Sequence, residues 1–472
     1  MSDSAQGLIG HLLGALAAII SLVANPLQPT PAQASDQEQA YRGSVFHILK
    51  DPSRHSENAY EYIEDALLVV KDGHIKKLAP YHSERSKLTP GTTVSDYSGM
   101  LIMPGFIDTH IHYPQREMIA AYGKQLLEWL NTYTFPTEKK YSDAAYARSQ
   151  ADLFLEELIR NGTTTALVFT TVYPISVEAL FEAAYTKNMR IIAGKVLMDR
   201  NAPIELIDTP KSGIDQSRAL IRKWHGKGRL AYAITPRFAI TSSPEQLQAA
   251  GTLKKEFPTI YVHTHLSENT DEIALVKKFF PERSSYFDVY DYYGLTGPRS
   301  VFAHGVHLSE SEINRIKQTK SVISFCPTSN LFLGSGLFPY RALKDKGVRV
   351  ALGTDVGAGT SFSLFETLNE AYKVNQLNKT SFSPIEGLYL ATLGGAKALE
   401  LDNKIGNFLA GKEADFIVIN PNSTPILQAR SKNSKNLEEK LFALMMLSDD
   451  RSIKAVYIAG KKVETQSRKA SP

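Results

Sequence analysis

Apolar, β-branched runs recur along the middle of the chain: "LIMPGFIDTHIH" (101–112), "TTTALVFTTV" (163–172), "RIIAGKVLMD" (190–199), "LAYAITPRFA" (230–239), "TIYVHTHLSE" (259–268), "SVFAHGVH" (300–307), "SVISFCPTSN" (321–330) and "VRVALGTD" (348–355). Runs this apolar suit strands of a parallel sheet buried on both faces. Longer amphipathic stretches separate them. Two of these, "SDAAYARSQADLFLEELIRNG" and "SVEALFEAAYTKNM", have helical spacing and stop at Gly162 and just past Asn188. Strands and helices alternating in this way over about 250 residues predict a (β/α)8 TIM-like barrel, an α/β fold. An open doubly wound sheet is the alternative; it would more often carry a Gly-x-Gly-x-x-Gly turn after its first strand, and none follows here.

The flanks have a different texture. From Tyr41 to about Ser98 the pattern is short and strand-like, "YRGSVFHIL" then "ALLVVKDGHIKKLA", with Asp72-Gly73 where a hairpin would turn. Similar runs return in "EADFIVINP" and "SIKAVYIAGKKVE", where Ala459-Gly460 is the expected turn. The two ends are therefore expected to form one small β-sandwich lobe (41–98 and 405–465) beside a barrel of residues 99–404. Residues 1–40 stand apart as an N-terminal extension. Its run "LIGHLLGALAAIISLVA" (Leu8 to Ala24), followed by "NPLQPTPAQAS", is similar to a signal peptide with an Ala-x-Ala-like cleavage pattern. The residues before that run carry Asp3 and no Lys or Arg, His11 interrupts it, and it is slightly short for a membrane span. A cytoplasmic protein that requires no membrane is the expectation, with export as the alternative.

With 472 residues the chain can bury a sizeable core, and its 43% hydrophobic and 22% charged residues are those of a globular protein. A net charge of +4 over this length gives no concentrated field for nucleic acid, so a small-molecule substrate is expected. The single Cys326 excludes an intrachain disulfide and a thiolate-rich zinc site; any metal must be held by histidine and carboxylate.

Polar, coordinating side chains fall at the C-terminal ends of the runs: His110 and His112 on the first, Arg237 on the fourth, His263, His265 and Glu268 on the fifth, His304 on the sixth, Asp355 on the eighth. That rim is where barrel enzymes build their sites. Residues two apart on a strand point the same way, so His110 and His112 both face the axis. One His-x-His among 12 histidines is weak evidence. Histidines and an aspartate converging without cysteine, however, make a shell for catalytic Zn2+ with an open position, and Fe2+ fits the same donors. Glu268, three residues after His265, is placed for general acid-base work; its alternative is a solvated glutamate at a helix start in "SENTDE". Asp355 reads as a metal ligand and base, or else as the N-cap of "SFSLFETLNEAYK".

The segments "PGFIDTHIH", "HTHLSE", "FAHGVHLS", "GTD" and "GKEADFIVIN" resemble the amidohydrolase superfamily across about residues 41–465. Within it, "HYPQ", "LLEWLNTYTFPTE" (126–138), "TPRFA" (235–239) and "SFCPTSNLFLGSGLF" (324–338) resemble the guanine deaminase family. The resemblance implies zinc-dependent hydrolysis of guanine to xanthine and ammonia, a step of purine catabolism, by a homodimer. It implies that His110, His112, His265 and Asp355 hold one zinc and that His304, counted with the ligands and the catalytic set, contacts the metal or its water. Glu268 would shuttle protons beside Asp355, while Gln115, Arg237 and Phe238, with His265, contact guanine. His263 carries no such role and reads as a packed barrel residue. A two-metal site would usually call for a lysine near the fourth strand, where "AYAITPRFA" offers Arg237 instead. The nucleobase deaminases built on a Pro-Cys-x-x-Cys zinc site are excluded by the cysteine count. The alternatives are an aminohydrolase for a different heterocyclic base and a non-catalytic binding protein on the same barrel; the latter would be expected to have lost ligands, and here the set is complete.

Overall fold

In the computed structural model, which describes residues 38–464 apart from Ser56 and Lys124, the chain enters through four strands of a lobe. These are β1 (Gln39–Ile48), β2 (Tyr60–Lys71), β3 (His74–Pro80) and β4 (Thr93–Pro104). Asp72 and Gly73 turn the β2–β3 hairpin, both with positive φ (51° and 75°), a conformation that Asp and Gly tolerate better than bulky residues. The apolar run Leu8–Ala24 lies outside the described residues.

One residue past β4 the barrel begins with β5 (Phe106–His112). A Cβ on the intervening Gly105 would come within 2.3 Å of Thr164 Oγ1, so the joint has room only for glycine. The expectation of a single strand over 101–112 is corrected at this point. Leu101–Pro104 pair with a lobe strand and Phe106–His112 with the barrel, so the expected boundary at residue 99 falls inside β4.

The barrel continues with β6 (Thr163–Phe169), β7 (Arg190–Gly194), a short β8 (Val196–Leu197), β9 (Ala231–Pro236), β10 (Tyr261–Leu266), β11 (Ser300–His304), β12 (Val322–Phe325) and β13 (Arg349–Leu352). They pair in parallel and in chain order, with β8 as a side pairing on β9. Just beyond β13 the cylinder is closed by backbone bonds: the Asp355 N–H donates to His110 O (2.8 Å) and the His112 N–H to Val356 O (2.9 Å). An inner apolar layer takes one side chain from each principal strand, from Ile107 of β5 round to Ala351 of β13, and Ala396, Leu399 and Ile405 plug its base. The outer faces pack on helices, which gives both-sided burial and explains the unbroken apolar runs.

The helices start and stop where polar chemistry allows. Asp143 accepts the Tyr146 N–H to cap Ala144–Arg160, which ends before Gly162 (φ 81°). The helix Pro174–Thr186 has proline in its first turn and ends ahead of Asn188 (φ 53°). Ser363, not Asp355, caps the helix Leu364–Leu377, so the N-cap alternative for Asp355 does not hold.

The lobe is completed by β14 (Phe416–Ile419), β15 (Ile453–Ile458) and β16 (Lys461–Val463). The order β16-β15-β14-β4-β1-β2-β3 makes one seven-stranded sheet from both chain ends. The sheet curls on itself, because the Tyr41 ring of β1 lies 4.8 Å from that of Tyr457 on β15, three positions away. The enclosed apolar cluster is thus gripped from two sides, as in a sandwich. Arg190 and Arg229, at the base of the barrel, tie this lobe down through Glu413 (2.5 and 2.6 Å) and Asp415. Among the described residues no helix is long and apolar enough to cross a membrane.

Candidate active site

Alternation along β5 turns His110 and His112 inward, β10 contributes His265, and the closing turn after β13 delivers Asp355. The donor atoms of these four residues lie within 4.8 Å of one another. Asp355 Oδ1 is 3.0 Å from His110 Nε2 and 3.1 Å from His112 Nε2, and His112 Nε2 is 3.3 Å from His265 Nε2. A tetrahedral site with bonds near 2.1 Å has edges of roughly 3.4 Å, so these separations suit one divalent ion. His110 Nε2 is buried and has no aligned hydrogen-bond partner in spite of its nearness to Asp355, the state of an atom whose lone pair is reserved for a metal.

Electrostatics agrees with that fit. Burial pushes His112 down to about 3 and lowers His110 and His265 as well, so the imidazoles are neutral, as ligands must be. Burial alone would raise Asp355, but His110, His112 and His304 around it hold the carboxyl well below its usual range. The backbone oxygen of Arg237, 2.7 Å from His265 Nδ1, accepts its proton and leaves Nε2 free to coordinate. His263, expected to be mere packing, lies with Nε2 2.7 Å from His110 Nδ1 and orients that ligand in the same way.

His304 departs from the ligand count. Asn330 Oδ1 holds its Nδ1 at 2.9 Å, and its Nε2 faces Glu268 Oε2 (3.4 Å) and Asp355 Oδ2 (3.7 Å), outside the four-donor group. This places it between the two carboxylates. Glu268 is 2% exposed, which removes the solvated-helix-start alternative; Asn269 caps the helix Thr270–Phe279 instead. Glu272 accepts the backbone N–H of Glu268 at 2.9 Å and fixes the turn, while Ser335 Oγ donates to Glu268 Oε1 at 3.3 Å. Burial, then the charge of Asp355, pushes the Glu268 carboxyl up to about 8.

Beside this centre opens a pocket with about 370 Å³ of atom-free space, the solvent at its mouth included. Its apolar walls are Leu126, Trp129, Leu130, Phe238, Leu333 and Ala358; its polar lining is Gln115, Arg237 and the metal-facing groups. Gln115 sits in the turn Tyr113–Met118 that follows β5, and Arg237 and Phe238 directly follow β9. All the site residues expected from the sequence line this one pocket except His110, which is fully buried.

Several contributors were not read from the sequence. Glu138, at 0% exposure, accepts from Arg237 Nη1 at 2.9 and 3.0 Å and from Gln115 Nε2 at 3.4 Å. It ends the block "LLEWLNTYTFPTE", and Asn330 and Ser335 lie in "SFCPTSNLFLGSGLF"; the blocks were visible but the roles inside them were not. His263 stands two residues before His265, so strand alternation was the signal that could have found it.

Comparison with known proteins places this geometry. The sequence profile of the amidohydrolase family matches residues 101–463. Guanine deaminase of Escherichia coli (strain K12) is 56% identical over 427 residues, covering 90% of this chain and 97% of that protein. Its structure superposes with a TM-score of 0.89 over 91% of this chain and all of that one. A guanine deaminase from C. acetobutylicum, solved with guanine bound in its active site, has 32% identity and a TM-score of 0.83 over 91% of this chain and all of that one.

Proposed function

The chain belongs to the amidohydrolase family, and from that premise we propose that it hydrolyses guanine to xanthine and ammonia at a single metal centre. The observation that carries the reading is one pocket in which the four-donor group adjoins a hydrogen-bond-donating edge, Gln115 and Arg237, beneath apolar walls. His110, His112, His265 and Asp355 would hold the ion, and zinc suits their nitrogen and oxygen donors. When bound, such an ion supplies the acidity that lets a water lose a proton near neutral pH.

The protein's own residues do the rest. Phe238, Trp129 and Leu130 offer apolar surface to the flat faces of the base, while Arg237 and Gln115 donate to its carbonyl and ring-nitrogen acceptors and so set C2 against the centre. Asp355 and Glu268 accept the protons of the attacking water. Its oxygen bonds to C2 as Glu268 passes a proton to N3, while His304 Nε2 lies beside that oxygen, between the two carboxylates. The bond from C2 to the exocyclic nitrogen then breaks, the nitrogen leaves with a further proton as ammonia, and the oxygen remains as the new carbonyl of xanthine. Among the described residues no lysine lines the pocket, and Lys195, which follows β7, is engaged with Asp208, which supports one ion rather than two.

The same reading includes a homodimer and a place in purine catabolism, on the strength of the family resemblance, and a cytoplasmic setting. The test incubates the purified protein with guanine, adenine, 8-oxoguanine and cytosine, follows xanthine and ammonia, and measures metal per chain and molar mass in solution. Turnover of guanine with about one zinc per chain is the expected result; comparable turnover of another base overturns guanine as the substrate.

A further inference from the structure

We propose that Glu138 is the positioning residue that gives the base-reading edge its polarity, an inference that rests on the guanine reading. The block 126–138 lines the pocket with Leu126, Trp129 and Leu130, yet Glu138 at its end is absent from the pocket wall and lies behind Arg237 and Gln115 with no exposure. It takes hydrogen bonds from both of them. A buried carboxylate paired with a buried guanidinium cancels its charge, so Arg237 meets a ligand as a set of oriented donors rather than as a net cation. The Phe135 ring, 5.5 Å below the guanidinium, holds it from another side.

Gln115 is fixed by the same carboxylate. Its Oε1 accepts the Gly357 N–H at 3.1 Å and its Nε2 donates to Glu138, which determines which end of the amide is which. The carbonyl is thereby turned towards the Gly357 backbone, and the N–H groups of Gln115 and Arg237 are left to face a ligand. The edge therefore presents donors alone. It takes an uncharged ring with acceptors in line, such as the O6 and N7 of guanine, and refuses a base that puts an amine there.

Replacing the acceptor-only carboxylate by an amide, Glu138→Gln, leaves Arg237 without its counter-charge and lets Gln115 turn over. The probe is 2-aminopurine, which keeps the reacting 2-amine of guanine but lacks the 6-carbonyl. In wild type, kcat/KM should favour guanine over 2-aminopurine strongly; in Glu138→Gln the ratio should fall roughly 10- to 100-fold, mainly through the KM of guanine, with metal per chain unchanged. A merely structural lesion lowers both substrates together. Glu138→Asp, which retains the charge and falls one methylene short, should give a smaller drop in the same direction and decides the question if the Gln variant does not fold. An unchanged ratio in a folded, metal-replete variant overturns the proposal. A wild-type protein that releases no xanthine from guanine overturns the functional reading instead.

Discussion

His263 gives the sharpest test of how the metal centre is held. Burial lowers this imidazole well below its usual pKa, so it is neutral, and its Nε2 lies where it accepts the Nδ1 proton of His110, leaving His110 Nε2 as a lone-pair donor. Replacement by alanine leaves a buried N–H with no acceptor. His110 is fully enclosed, and the Phe169 ring, 4.4 Å from that of His263, walls the same space. An unsatisfied buried donor costs about 1–3 kcal/mol, and partners of metal-bound histidines are typically worth about 10- to 100-fold in metal affinity, or roughly 1.4–2.7 kcal/mol. The assay equilibrates wild type and His263→Ala with zinc against a competing chelator and reads half-saturation, then turnover at saturating metal. Half-saturation should move upward by one to two decades, with most of the turnover recovered once the metal is in excess. Metal held as tightly as in wild type, or turnover lost at every metal concentration, would refute the assignment of His263 to ligand orientation.

Other consequences are equally accessible. His112→Ala should lose most of its metal on dialysis, as metal analysis would show, and retention at one ion per chain would remove it from the ligand set. Glu268→Gln should keep the metal and lose roughly 10²- to 10⁴-fold in kcat; a metal-replete, fully active variant excludes Glu268 from proton transfer. Lys195 and Asp208 form a buried pair, so Asp208→Ala should lower unfolding free energy by about 3–5 kcal/mol in denaturant titrations, whereas Lys195→Met combined with Asp208→Ala should recover much of it. Glu38 would be raised by burial, but Lys76, the Thr89 N–H and the Thr92 hydroxyl hold it down at about 2 against the usual 4.5. Its folded-state value being the lower one, its stabilisation is complete above about pH 4.5 and drains away as the pH falls towards 2. The stability gap between wild type and Glu38→Gln should close over that window; a gap independent of pH would contradict it.

The barrel was legible because burial on both faces writes itself as uninterrupted apolar runs, and each of the eight runs contains a principal barrel strand. Where one strand gives way to another was not, as the apolar run Leu101–Ile107 passes from one into the other and only their partners differ. His110 and His112 could be read from period-two spacing, whereas the part played by Glu138 depends on Arg237, 99 residues away. Glu268 was ambiguous for the same reason. Its enclosure depends on Ser335, 67 residues on, and nothing within "SENTDE" distinguishes a buried carboxylate from a solvated one.

The lobe sheet joins strands from the two ends of the chain, with β4 in the middle. A ribosome makes β1 to β4 early and Phe416–Ile419 near the end, so at roughly 5–20 residues per second the free side of β4 waits on the order of tens of seconds for its neighbour. During that interval Leu101–Pro104 is an open apolar edge able to recruit strands from other nascent chains. A chain cut short before Phe416 would leave that side of β4 without its partner.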